Sequence, residues 1–220
     1  MPHLERVTLS RDALLAEPGA SVEYAYFPVG CVLSLIVVLD NGVSVEAGTA
    51  GNEGMVYIGV FAGQSTSPFR IVPQSPGDCL RIPQSALEKA LDAIPRLRVV
   101  LQRYCLVLLL QSTQNAACNL RHSTEQRLAR WLLVSADRAA GSQLALTQDS
   151  LSVLLGVRRQ SINIAIGTLH RAGLISYRRG SISIVDRAGL EAVACECYRT
   201  NAKTFDRVME LDCADGVRVV

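Results

Sequence analysis

The first ninety residues alternate between short apolar runs and turn formers. The runs Val22 to Phe27, Cys31 to Leu39, Val43 to Ala47, Phe69 to Val72 and Cys79 to Ile82 are separated by glycine, proline and asparagine. Many short strands at this spacing predict a sandwich or jelly roll. Asp40-Asn41-Gly42, between CVLSLIVVL and VSVEAG, predicts a type I′ hairpin. Then the period changes. Pro83 to Leu91 predicts a short helix and Pro95 opens a long one. On it Ile94, Leu97, Leu101, Tyr104, Leu108, Gln111, Asn115 and Cys118 recur in an a/d heptad pattern. A single helix to about Asn119 would be roughly 36 Å long. Its apolar stripe, led by Leu97, Leu101, Tyr104 and Leu108, reads as a parallel dimer seam, with packing inside its own subunit as the alternative. Another helix is expected over Ser123 to Ala139, with Trp131, Leu132 and Leu133 in the core. Gly141-Ser142 marks a break, and Gly189 to Met209 reads as helical.

Between these last two helical stretches lies LTQDSLSVLLGVRRQSINIAIGTLHRAGLI, Leu146 to Ile175. Thr147 is a good N-cap, and Leu151, Leu154 and Leu155 fall on one helical face. A tight turn at Gly156 follows. Ile162, Ile166 and Leu169 then recur at helical spacing, leaving Arg159, Gln160, Asn163 and Gly167 on the opposite side. Arg can bond guanine O6/N7 and Gln or Asn adenine N6/N7, each in bidentate fashion, so this face suits the major groove. The pattern is a helix-turn-helix whose second helix reads. LISYRRGSISIV, Leu174 to Val185, predicts a hairpin bent at Arg178-Arg179-Gly180, a two-stranded wing suited to phosphates. A helical hairpin followed by a β-ribbon with solvated arginines is the bland alternative.

Charge adds to this picture. The formal net charge of +2 is unevenly spread: residues 121–187 carry ten arginines against four acidic groups, and the segments on either side are each slightly acidic. Positive charge gathered on the helix-turn-helix is what a DNA-binding footprint requires. The longest strongly apolar run, Cys105 to Leu110, is far short of the roughly 20 residues that cross a bilayer, so no membrane span is expected.

Seven cysteines, at 31, 79, 105, 118, 195, 197 and 213, form no paired framework and read as free thiols in a reducing cytoplasm. In Cys195-Glu196-Cys197 two thiols stand two residues apart. A zinc site wants about four ligands, Cys213 is the only other cysteine nearby, and the tail holds no histidine. On one helix the two side chains would also diverge. The expectation is therefore small, partly buried thiols, with no metal and no cofactor.

A β-rich domain, a long helix and a C-terminal winged helix together resemble the Crp/Fnr family of bacterial transcription regulators. The resemblance is most specific in GVRRQSINIAIGTLHRAGLI with its wing, and in YFPVGCVLSL upstream. It is closer still to a branch of that family marked by GNEGMV, TSPFRIVPQ, RWLL, GVRRQ and CECY, which begin at Gly51, Thr66, Arg130, Gly156 and Cys195. The class implied is α+β. It comprises an N-terminal β jelly roll (double-stranded β-helix) over residues 1–92 and a dimerisation or linker helix over 93–120. A winged helix-turn-helix over 121–190 and a C-terminal helix and tail over 191–220 complete it.

By position, Arg159 and Gln160 stand where the family places its two leading base readers. The third such position falls on Ile164, which can meet only a thymine methyl, leaving Asn163 to take over the reading. Arg158 occupies the family's Ser N-cap and is a poor cap. Thr147 and Gln148 match the phosphate-contacting start of the first helix. The DNA-binding set is thus Thr147, Gln148, Arg158, Arg159, Gln160, Ser161, Asn163, Arg178 and Arg179.

The effector pocket departs from the family. Members that bind a cyclic nucleotide hold its phosphate with an Arg-Ser or Arg-Thr pair, because a buried phosphodiester needs a charged donor. Here Thr66-Ser67 stands in that place, and Met55-Val56 lies where Gly-Glu is expected. Glu53, Thr66, Ser67 and Arg70 are the candidate pocket residues, and the expected effector is something other than a cyclic nucleotide, or nothing. The cysteine cluster of the family's iron–sulfur branch is missing before Cys31. For haem, His3 and His170 fall outside the expected pocket. The opening PHLERVTL resembles the end of the family's first helix and its opening strand. Members carry further residues ahead of it, so a sensor domain trimmed at its start is expected.

The leading expectation is a homodimeric, sequence-specific DNA-binding regulator whose partner is double-stranded DNA, with RNA polymerase a further partner the resemblance raises. The alternative is a ligand-binding or redox-responsive sensor whose winged helix contacts protein. No P-loop, G-x-S-x-G, H-E-x-x-H or acid/base constellation is present in the sequence, so no enzyme activity is expected.

Overall fold

The computed structural model describes residues 3–139, 143–178 and 180–210. The N-terminal half folds as two three-stranded antiparallel sheets. One has the order β1 (Glu5–Leu9), β6 (Gly77–Pro83), β2 (Tyr24–Pro28); the other β4 (Ser44–Ala50), β3 (Leu33–Val38), β5 (Arg70–Pro73). The two sheets share one core, to which Leu33, Leu35 and Ile71 contribute from one side and Ala25, Cys79 and Ile82 from the other. β3 is buried from Leu33 to Ile36 without alternation. Burial without alternation marks a strand covered on both faces; on the second face Ser34 donates to Glu46, which also accepts from Trp131 of the C-terminal half.

The β3–β4 turn corrects the expected type I′ hairpin. Gly42 N–H donates to Leu39 O, and Leu39 N–H donates to Val43 O. Among the described residues Gly42 has φ +82° while Asn41 is not at positive φ. A type I turn closed by a left-handed glycine is the three-residue loop with a G1 bulge, which Asp-Asn-Gly serves equally well.

Helix α1 (Gln84–Ala93) leads into α2 (Pro95–Arg121), whose 27 residues span about 40 Å. The heptad stripe does not face a second subunit. Leu101, Tyr104 and Leu108 are buried in the chain's own barrel core, with Leu97 packed against it. The alternative reading of that stripe is the one observed. Val99, Leu106, Leu109 and Leu120 are left exposed on α2.

The C-terminal domain comprises α3 (Thr124–Ala139), α4 (Gln148–Leu155), α5 (Arg159–Arg171) and a sheet of order β7 (Gln143–Ala145), β9 (Ser181–Ile184), β8 (Ile175–Arg178). The expected two-stranded wing therefore gains a third strand, β7, just before the helix-turn-helix. The expected helix over Gly189 to Met209 is two: α6 (Arg187–Val193) and α7 (Cys197–Met209), broken at Ala194–Glu196. Among the described residues no helix is long and apolar enough to cross a membrane.

Candidate nucleic-acid interface

The helix-turn-helix is locally encoded at each step. Thr147 Oγ1 accepts from Ser150 N–H at 3.1 Å, capping α4. Gly156 takes φ +62° to turn the chain. Arg127 of α3 donates to Leu155 O, so an α4 terminal carbonyl is satisfied from the neighbouring helix. Ile162, Ala165, Ile166 and Leu169 anchor α5 in the domain core beside Leu128, Leu132 and Leu151.

That anchoring turns the opposite face of α5 outward. Arg159, Gln160 and Asn163 are exposed, and so is Ile164, at 57 %. Arg158 is exposed at the N-cap and makes no side-chain cap bond, as an arginine there should not. Ser161 is half-buried. Thr147 and Gln148 are half-buried at the start of α4, with Thr147 Oγ1 engaged in its cap. Arg159 meets Asp149 at 3.1 Å, an exposed ion pair. Arg178 is exposed at the end of β8; Arg179, the other expected wing arginine, lies outside the described residues. His170 is held beside the wing, its Nδ1 3.0 Å from Ile175 O.

The four expected effector residues do not converge. Glu53 pairs with Arg138 of α3 at 3.0 Å and accepts from Gly51 N–H. Arg70 pairs with Glu17 at 3.0 Å. Ser67 is spent on a local turn, its Oγ donating to Phe69 O and accepting from Phe69 N–H, and Thr66 is exposed. With each charge already taken by its own partner, the expected pocket is corrected to separate structural contacts.

What those contacts build is a junction between the two domains. Trp131, Ser135 and Arg138 recur along α3 and face the barrel. Trp131 Nε1 donates to Glu46 at 2.7 Å, Ser135 Oγ to Gln74 Oε1 at 3.1 Å, and Arg138 to Thr49 O and Gln111 Oε1 at 2.8 Å each. Gly54 lies against Tyr104 so closely that a Cβ on it would fall 1.8 Å from the ring. Gly54→Ala is therefore expected to destabilise the protein by about 3 kcal/mol, read as a lower denaturant midpoint, since a filled barrel core has no room for a methyl. An unchanged midpoint would mean that the ring yields freely.

Glu46 is half-buried in this junction and accepts from Ser34, Gln74 and Trp131. Burial nevertheless pushes its carboxyl above the usual carboxylate range. A carboxyl raised on folding contributes stability that is present below its unfolded pKa and lost as pH rises through its folded value. Wild type is thus expected to lose stability relative to Glu46→Gln as pH climbs from the ordinary carboxylate range. Paired denaturant melts across pH check this, and a constant or opposite difference would contradict it.

The CECY segment departs most from expectation. Because α6 and α7 break at Ala194–Glu196, Cys195 stands outside any helix and Cys197 opens α7, so the two thiols can face one point. Cys118 and His122, from the end of α2, complete the group: Cys118 Sγ lies 3.5 Å from Cys195 Sγ, and Cys197 Sγ lies 3.7 Å from His122 Nδ1. Cys118 is brought down to about 5, chiefly by the hydrogen bond with Cys195, whose own thiol is pushed up in return. The expectation of isolated thiols is corrected. The missing signal was Cys118-x-x-x-His122, one helical turn of spacing, on an element far away in sequence.

The architecture is a jelly-roll-like barrel, a long helix and a helix-turn-helix with its second helix exposed beside a wing. Residues 126–193 match the family model for the Crp-like helix-turn-helix domain. Over most of its length the chain shares the fold of solved Crp/Fnr-family structures. FixK2 from Bradyrhizobium japonicum is 16% identical with a TM-score of 0.72, over 87% of this chain and 98% of that one. A CRP/FNR-family transcriptional regulator from Thermus thermophilus is 20% identical with a TM-score of 0.66, over 86% and 98%. The c-di-GMP responsive global regulator CLP of Xanthomonas campestris is 18% identical with a TM-score of 0.66, over 83% and 94%. No curated protein matches the chain in a sequence comparison.

Proposed function

We propose that this protein is a sequence-specific DNA-binding transcription regulator that works as a homodimer in the cytoplasm. The observation that carries the reading is the outward face of α5. Arg159, Gln160 and Asn163 are held exposed there by a buried apolar face, within a domain of Crp-like type and beside the basic wing strand of Arg178. Arg, Gln and Asn are the side chains that bond base edges bidentately, and a helix is what the major groove admits.

The dimer rests on the second face of α2. Val99, Leu106, Thr113 and Leu120 follow one another at intervals of seven, and Gln102, Leu109 and Ala116 take the intervening d positions. All seven are exposed in the single chain. A parallel pairing along this stripe would set two reading helices on one side of the duplex, in register with half-sites one turn apart. A signal reaching the barrel would act through the junction of Glu46, Glu53, Trp131 and Arg138, because those contacts tie the sheet to the helix that carries the reader. The barrel lacks the arginine that a cyclic nucleotide's phosphate would need, so its signal is assigned to another chemistry.

Selection of bound sites from random duplex DNA with purified protein tests the reading. A twofold-symmetric motif is expected. Enrichment of a single half-site would remove the homodimer, and retention of DNA without any enrichment would remove sequence recognition.

A further inference from the structure

We propose that Cys118, His122, Cys195 and Cys197 form a tetrahedral zinc site that pins the end of α2 to the break between α6 and α7. The four ligand atoms all lie within 4.8 Å of one another. Around a single zinc with Zn–S of about 2.3 Å and Zn–N of about 2.0 Å, tetrahedral geometry separates two sulfurs by about 3.8 Å and a sulfur from a nitrogen by about 3.5 Å. The Cys118–Cys195 and Cys197–His122 separations, 3.5 and 3.7 Å, are already close to those edges. Three thiolates with one imidazole are a recurring structural zinc set, and such sites are closed to solvent. The three cysteines are buried here, and the His122 side chain is 16% exposed.

The surroundings supply independent support. His122 presents Nδ1 to the thiols, and its Nε2 lies 3.2 Å from Glu196 Oε2. A carboxylate on the far nitrogen fixes tautomer and ring orientation for a metal-bound histidine. Gln114 Nε2 donates to Cys197 Sγ at 3.1 Å, as donors around a ligating thiolate do. The site's charge is matched as well. Zinc with three thiolates and a neutral imidazole carries −1, and two buried arginines of α3, Arg127 and Arg130, act electrostatically on Cys118. The Nε of each is buried without a hydrogen-bond partner. Arg127 also donates to Leu155 O and Arg130 to Asn115 Oδ1, but small hydrophobic thiols alone would give no reason for a carboxylate-oriented histidine among them.

The placement gives the metal a consequence. Cys118 and His122 sit at the end of the long helix, immediately before α3, while Cys195 and Cys197 belong to the C-terminal pair α6 and α7. Bound zinc cross-links two elements 77 residues apart where α2 passes into α3. The site goes beyond the DNA-binding reading and does not depend on it.

The test uses the full chain, purified from zinc-supplemented cells without chelator. Elemental analysis is expected to find about one zinc per chain, lost in Cys197→Ser. Glu196→Gln is expected to keep the metal but release it to a competing chelator with about 10-fold or greater loss of affinity. Should Cys197→Ser fail to fold, cobalt titration of metal-stripped wild type decides. A saturable thiolate-to-cobalt absorption that zinc abolishes is expected. The proposal is overturned if folded, reduced wild type yields neither bound zinc nor that absorption. It is equally overturned if the chain carries iron with inorganic sulfide. A Cys118–Cys195 disulfide in the metal-free isolated protein, seen by non-reducing mass spectrometry, overturns it too.

Discussion

Leu109→Glu is expected to yield a folded monomer that no longer holds a two-half site. Leu109 is 63% exposed in the single chain, so a carboxylate there touches no core, and a surface change of this kind stays within about 0.5 kcal/mol of wild type. In a parallel pair the same position faces its own copy across the twofold axis. Two carboxylates would then be opposed at the centre of an apolar seam, where like charges repel and find little water. Sedimentation should move from dimer to monomer while the thermal transition stays in place. Affinity for a symmetric site should fall by about 10² to 10⁴, the factor lost when two half-site contacts are no longer linked. Leu101→Glu is the control. Leu101 is 6% exposed within the barrel core, so its glutamate buries an unpaired charge and should cost several kcal/mol in folding rather than in association. A folded, monomeric Leu101→Glu alongside a dimeric Leu109→Glu would return the seam to the first stripe.

The two stripes on α2 show where the sequence was informative and where it fell short. Leu97, Leu101, Tyr104 and Leu108 keep the same seven-residue rhythm as Val99, Leu106, Thr113 and Leu120, rotated around the helix. A period states that a face is apolar but not which neighbour covers it. Here the barrel takes the more continuous face. The helix-turn-helix was legible because its instructions are local: a Thr147 cap, a left-handed Gly156, and buried and exposed faces set by spacing of three and four. The junction was not, since it depends on meetings such as Trp131 with Glu46, 85 residues apart. The short motifs GNEGMV, TSPFRIVPQ, RWLL and CECY were visible as a pattern. Their residues turn out to meet side chains of α2 and α3 outside the motifs: Glu53 with Arg138, Gln74 with Ser135, Cys195 with Cys118. The cysteines were misread for the same reason. A ligand count taken within the C-terminal tail missed the two donors that α2 brings to it.

Arg159→Ala should remove preference for the selected site while leaving the grip on random DNA nearly intact. Arg159 opens the reading helix, exposed, and its contact in the free protein is the ion pair with Asp149 at 3.1 Å. Solvent-exposed pairs contribute about 0–1 kcal/mol, so docking on DNA can give this one up at small cost. A bidentate bond to guanine discriminates by about 1–3 kcal/mol, which corresponds to roughly 5- to 150-fold in affinity for the site. Arg178 sits on the wing, where a phosphate contact carries no sequence information. Arg178→Ala should therefore weaken specific and random DNA alike and reduce the slope of log affinity against log salt by about one. Titrations of both variants against the selected site and a scrambled duplex, at several salt concentrations, separate the two roles. If Arg159→Ala keeps its site preference while Arg178→Ala loses it, the wing reads the bases and α5 supports it. If neither variant changes the ratio, reading passes to Gln160 and Asn163, the remaining exposed side chains on that face able to pair with a base edge.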